Sequence, residues 1–354
     1  MILSLLIFVI AIIGFVVRKN KYLNFIFLAL LLYAVYRDTG NADYLGYVND
    51  YQDANFEEHV SDPLYYLLVK FFANLGIPFE LFRLLFFFFY FFVLHKLISS
   101  RTKHELWVWV LFATSVFCLH VVWMRYSMAF MLIYHGLFLY YYSGKKILAY
   151  VSFIMAVFFH FGVVVCFPLL FIGEMGKKKF FVMLAFIFVA TFFLSNLGLL
   201  SFFELVSGDE RAGYIERNYL SQEVARSGVY KIIESILTII CVYYVLQLER
   251  KKVNRFRNNS VKQKCISDIE LIQRFNMYSI VLVPLINIAE PIARYFMYIY
   301  PVYLIVFTYY YTFDKEYKLS SYDLLVLLLT IGVFVSFVGI SGMGYEYGFK
   351  SLFQ

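Results

Sequence analysis

The chain reads as all-α: a polytopic transmembrane helical bundle of about ten spans, with re-entrant or interfacial helices between them. Three observations carry that reading. Hydrophobic residues fill 62% of the 354 positions and charged residues only 16%, against about 45–50% and about 25% in a soluble domain. Apolar runs long enough for ~30 Å of hydrocarbon follow one another along the chain. Twenty of the 31 Lys and Arg fall in six short segments between those runs, at 18–21, 96–103, 145–146, 177–179, 250–264 and 315–318. Such clustering marks cytoplasmic loops. The net charge of +7 therefore belongs to membrane orientation, and nucleic acid is not an expected partner.

Taken in order, residues 2–17 precede the first cations and read as a retained span, because a cleavable signal carries its charges first. Residues 22–36 run outward and deliver an outer acidic loop, 37–62. It holds seven carboxylates (Asp38, Asp43, Asp50, Asp53, Glu57, Glu58, Asp62) against one cation, Arg37. Residues 63–75 are too few to cross at ~1.5 Å per residue and read as a re-entrant or interfacial helix. Spans follow at 79–97, 106–122 and 126–143. Between Lys146 and Lys177 the chain must begin and end inside. Two half-helices broken at His160–Phe161–Gly162 satisfy this, as where backbone lines a cavity; one full span is the alternative and would invert everything downstream.

Further spans are expected at 180–197, 230–248, 271–289, 292–313 and 322–340. A second outer loop, 198–229, carries Ala212, Ile215, Tyr219 and Val224 at near-helical spacing, the pattern of an interfacial amphipathic helix. Residues 249–268 form a basic cytoplasmic loop suited to anionic headgroups. The whole chain, 1–354, is treated as a single integral membrane domain. The four cysteines (Cys118, Cys166, Cys241, Cys265) show neither metal-ligand spacing nor a disulfide framework. No metal and no cofactor is expected.

Outside the inner loops, Arg37, Arg83, Arg125 and Arg294 each fall at the outer end of a span. Charges near hydrocarbon cost ~3 kcal/mol on insertion scales and mark function by default. Guanidinium forks suit bidentate contact with phosphate or carboxylate, and a membrane-embedded diphosphate lipid is the anion expected at that depth. Headgroup snorkelling is the alternative for each, and Arg294 has a pairing partner in Glu290 four residues earlier. Arg274, at an inner end, reads as a membrane-edge anchor. His160, at the chain break, lies toward the same outer cavity. His120 and His135 read as structural. In the acidic loop Asp43 and Asp62, the latter followed by Pro63, stand out, with Tyr44, Tyr47 and Tyr51 at helical offsets beside Asp43, a mixture of rings and carboxylates common at carbohydrate sites.

Together these residues resemble the EpsG family of bacterial polysaccharide polymerases, relatives of the Wzy-type O-antigen and capsule polymerases. The resemblance rests on Arg37, the run TGNADYLGY with Asp43 and Tyr47, and SDPLY with Asp62, Pro63 and Tyr65. It continues through Arg125 to Ala129, Ala156–Phe159–His160, and Arg294–Tyr295, spanning roughly residues 20–310. Ala42 just before Asp43 and Tyr126 after Arg125 depart from the family pattern. The resemblance implies joining of undecaprenyl-diphosphate-linked oligosaccharide units at the outer face of the bacterial cytoplasmic membrane. It places Arg125 and Arg294 on the diphosphate and His160 or Asp43 as general base. Arg37, Tyr47, Asp62, Tyr65 and Arg83 then surround the glycan. Implied partners are those lipid-linked oligosaccharides, membrane lipid, and the flippase and chain-length regulator of the same pathway. A lipid-linked oligosaccharide flippase and a membrane-bound O-acyltransferase are the rival readings.

Overall fold

The computed structural model describes residues 21–39, 43–53, 62–102, 104–196, 222–254, 259–287 and 291–306. All regular structure among them is helical. They fall into two compact units, the described residues up to Leu170 and those from Phe171 onward.

The first unit begins with α1 (Lys21–Arg37) and α2 (Tyr44–Gln52), a short helix inside the acidic loop. Tyr44, Tyr47 and Tyr51 form the buried stripe of α2, the one-face spacing of an amphipathic helix. Helix α3 (Pro63–Asn74) starts with proline in its first turn, where the missing N–H would have no partner anyway. It ends at Gly76, whose φ of +69° is the left-handed conformation that glycine adopts without steric penalty. Pro78 then opens α4 (Phe79–Arg101). One side of α4 packs inward through Phe82, Phe86, Tyr90 and Leu94, while Leu81, Phe88, Phe89 and Phe92 are exposed.

Helices α5 (Glu105–Ser115) and α6 (Phe117–Val122) are one apolar run interrupted at Val116. Helix α7 (Met124–Tyr142) is buried over most of its circumference, the mark of a central helix. It turns back at Gly144 (φ +67°) into α8 (Lys146–Phe159). The pair packs closely because Gly136 has no side chain; a Cβ there would lie 2.6 Å from the Phe153 ring.

Helix α8 stops at His160, which is extended (φ −161°, ψ 113°), and a 3-10 segment, Phe161–Cys166, follows. The Phe167 ring meets Phe153, and the Tyr141 hydroxyl at the far end of α7 donates to the Leu169 and Leu170 carbonyls. The chain has thus returned to the level at which α8 began. These contacts describe a hairpin with His160 at its tip rather than one continuous span. Its second limb is 3-10 where α-helix was expected. The element α9 (Leu169–Ile172) closes it.

The second unit holds α10 (Lys177–Asn196), α11 (Gln222–Val253), α12 (Asn259–Leu282), a 3-10 segment (Val283–Asn287) and α13 (Pro291–Val306). Asn276 on α12 donates to the Ile239 carbonyl of α11 (2.9 Å), which joins two long helices through a buried polar bond. Arg274 is engaged by protein: its Nη1 donates to the carbonyls of Ile172, Gly173 and Met175, satisfying acceptors that a helix end leaves over.

Among the described residues, only α4 is long and apolar enough to cross a membrane by length and composition, against about ten continuous spans expected. The physical reasons are local. The run 106–122 breaks at Val116, α8 ends at the hairpin tip, and α12 carries five charged residues between Lys262 and Arg274. The expected spans at 2–17 and 322–340, and residues 198–221 of the second outer loop up to the start of α11, lie outside the described residues.

Candidate active site

Three parts of the first unit that are distant in sequence converge on one carboxylate. Asp62 stands at the N-terminal cap of α3, held out of helical geometry (φ −130°, ψ 64°) by the proline after it. An aspartate there ordinarily accepts from the first-turn N–H groups. Asp62 makes no such bond. Its carboxylate is turned instead to Arg125 on the first turn of α7, whose Nη1 donates to Oδ2 at 3.4 Å. His160 approaches the same oxygen through Nδ1 at 3.3 Å, and the backbone N–H of Phe161 adds a third donor.

The carboxylate is only 5% exposed, against 22% for the His160 side chain and 33% for that of Arg125. Burial pushes the Asp62 carboxyl upward. The hydrogen bond and charge of His160, the charge of Arg125 and the Phe161 N–H together outweigh that and hold it below its ordinary value. A carboxylate only accepts, so Nδ1 of His160 carries the hydrogen and, in the neutral ring, Nε2 is the basic nitrogen. This is the acid–imidazole arrangement that poises a histidine as a general base.

Arg125 is caged by tyrosines. Nη1 also donates to the Tyr66 hydroxyl (3.4 Å), and its Cζ lies 5.8 Å from the Tyr47 ring and 5.7 Å from the Tyr65 ring, within cation–π range. Among the described residues these bonds use Nη1 alone, so Nε and Nη2 keep their donors for another acceptor. Tyr65 is fully buried, and its hydroxyl has no hydrogen-bond partner among the described residues. A buried hydroxyl left so costs ~1–3 kcal/mol.

The other expected residues are placed differently. Tyr47 faces Tyr65 at 6.3 Å and so joins the cage, but the Tyr44 and Tyr51 rings pack on Phe79 and Phe82. Asp43 occupies the N-terminal cap of α2, half-buried, its carbonyl accepting from the Tyr47 N–H. Arg37 is exposed in the last turn of α1, where a cation suits the helix dipole. Arg83 is not part of the cluster: it donates to the Asp38 backbone carbonyl and, through Nη2, to Asp38 Oδ2 at 3.1 Å. Arg294 belongs to the second unit, half-buried in the first turn of α13; Glu290, its expected partner, lies outside the described residues.

His120 is fully buried against the Tyr90 hydroxyl, and His135 bonds Ser152 (3.2 Å). Sequence reasoning missed Tyr66 and gave Tyr126 no role. The adjacency of Tyr65 to Tyr66 just inside a Pro-started helix was the available signal for the first. Among the described residues no group of three or more His, Cys, Asp or Glu is placed to hold a metal ion. Cys166, Cys241 and Cys265 form no disulfide among the described residues.

The described residues, all helical in their regular structure, thus hold a buried acid that orients an imidazole beside a half-engaged guanidinium. The chain belongs to the EpsG family, whose model matches residues 20–350 and whose members are Wzy-type polysaccharide polymerases. Proteins of this family are generally membrane proteins. No curated protein and no solved structure matches the chain significantly.

Proposed function

We propose that the protein joins oligosaccharide units carried on undecaprenyl diphosphate, at the outer face of the bacterial cytoplasmic membrane, as a glycosyltransferase-type polymerase with a lipid-linked donor. The observation that carries the reading is the convergence of Asp62, Arg125 and His160 on one carboxylate oxygen. The hydroxyl of the acceptor sugar attacks the anomeric carbon of the growing chain as the bond from that carbon to the diphosphate oxygen breaks. The hydroxyl proton passes to Nε2 of His160, and lipid diphosphate leaves with the bonding pair. Asp62 stabilises the imidazolium so formed. The unengaged Nε and Nη2 of Arg125 take the developing charge on the diphosphate, a contribution that strengthens in the transition state. The buried Tyr65 hydroxyl gains its missing partner from the same ligand, while the outward face of α2 borders the glycan.

Arg294, Arg37 and Asp43 remain candidates for diphosphate and glycan contacts on the strength of the family resemblance. Arg83 does not, since its fork is occupied. The flippase and the chain-length regulator of the same pathway are the protein partners of this reading.

The test is extension of purified lipid-linked units in vitro by wild type and by His160→Gln and Asp62→Asn. Wild type lengthens the glycan and both variants fail. In cells the variants accumulate single lipid-linked units on the outer leaflet. Accumulation on the inner leaflet would instead make the protein a flippase.

A further inference from the structure

Asp62 meets the Nδ1 edge of the His160 ring at 3.3 Å. Two other contacts fix it. The Tyr126 ring lies 4.6 Å from the His160 ring, tilted by 59°, and Tyr126 is itself buried and stacked on Phe130 at 5.7 Å and 16°. On the opposite edge sits Gly162. A Cβ at Gly162 would lie 3.2 Å from His160 Nε2, 3.3 Å from Cδ2 and 3.3 Å from the Tyr126 hydroxyl. The φ of Gly162 is not positive, so the backbone there does not demand glycine. What demands it is the approach of the imidazole and the phenol.

We infer that Tyr126 and Gly162 form a positioning pair that clamps the His160 imidazole, Tyr126 against its face and Gly162 against its Nε2–Cδ2 edge, so that Nδ1 stays on Asp62 and Nε2 on the acceptor hydroxyl. The inference rests on the reading of His160 as the base. A methyl at Gly162 displaces the ring by a few tenths of an ångström, and misplacements of ~1 Å at a reacting group cost up to ~10² in rate.

Extension kinetics with purified lipid-linked units, together with thermal melting in detergent, test this. Gly162→Ala and Tyr126→Leu lower kcat by ~10- to 100-fold with KM unchanged. Tyr126→Phe, which keeps the ring, restores most of the rate lost in Tyr126→Leu. The groups that meet His160 include Asp62 at the start of α3 and Tyr126 from α7, with Arg125 on the same Asp62 oxygen. Loosening the ring from Asp62 withdraws the carboxylate that favours the imidazolium, so the acidic limb of the kcat profile moves to lower pH in Gly162→Ala.

If His160→Gln is inactive while Gly162→Ala and Tyr126→Leu keep wild-type kcat, the positioning role is wrong and the base stands. An active His160→Gln removes the base reading and the inference with it. Loss in KM or melting temperature alone, with kcat intact, assigns the pair to packing and also overturns the inference. Should Gly162→Ala fail to fold, the comparison of Tyr126→Leu with Tyr126→Phe decides.

Discussion

Two arginine–aspartate pairs stand in the first unit, and they differ in what each leaves over. Arg83 and Asp38 are 5% and 9% exposed, and both guanidinium Nη atoms are taken, one by the Asp38 carboxylate and one by its backbone carbonyl. The pair ties the end of α1 to the first turns of α4. Arg125 and Asp62 have the same chemistry and an acid just as buried, but the arginine is 33% exposed and only Nη1 is engaged. Here the acid also serves an imidazole. The closed pair is a joint, whereas the open one leaves Nε and Nη2 of Arg125 uncommitted among the described residues.

The largest effect is expected at the joint. Arg83→Ala leaves the Asp38 charge buried without its partner, which destabilises by ~3–5 kcal/mol. Melting in detergent falls steeply and the amount of folded protein drops, while extension per folded molecule is kept. Arg125→Ala behaves in the opposite way. The rate of extension falls by ~10²–10³, the size of a lost electrostatic donor, and the protein still accumulates in the membrane. Specific activity and melting measured on both variants decide between them. A folded, inactive Arg83→Ala beside a poorly folded but active Arg125→Ala would reverse the two roles.

Neither role was visible in the sequence, although parts of both pairs were. Arg83 and Arg125 looked alike there, each a cation at the outer end of an apolar run. What separates them is the partner, and Asp38 was one of seven acids in a single loop with nothing to single it out. Asp62 was more legible, because an acid before proline at the start of an apolar helix has only a few things to do. The hairpin tip was legible too. Basic residues at both ends of 146–177 favour a return over a single crossing, and His-Phe-Gly offers a place to turn. The continuous spans were the least legible. Hydropathy averages over Val116, where α5 stops and α6 begins, and nothing in a run of apolar residues announces that break. Tyr44, Tyr47 and Tyr51 share a stripe, as their spacing requires. Only the positions of Phe79 and Tyr65 decide that two of the rings pack into the fold while the third faces Arg125.

A smaller effect with two opposite signs is expected beside the open pair. The Tyr65 hydroxyl is buried and unpartnered among the described residues, which disfavours the ligand-free fold by ~1–3 kcal/mol. Tyr65→Phe keeps the ring under Arg125 and removes that penalty, so melting rises. The same change withdraws a donor or acceptor from the ligand, so KM for the lipid-linked unit rises. No comparable gain is available at the closed pair, where both Nη atoms of Arg83 have partners. Lower melting with unchanged KM would mean that Tyr65 only packs.

The smallest effect concerns how long the open pair survives acid. Asp62 must be ionised to hold Arg125 and His160 together, and its carboxyl lies below the ordinary value despite burial, because His160 and Arg125 favour the charged form. A group depressed in the fold stabilises fully above its unfolded value, ~3.9 for aspartate, and loses that contribution as pH falls through the lower folded value. The difference in melting temperature between wild type and Asp62→Asn should therefore stay constant from neutrality to about pH 4 and close only below it. A difference that already collapses between pH 6 and 5 would mean that Asp62 is not held in its charged form, and the acid–imidazole pair would lose its anchor.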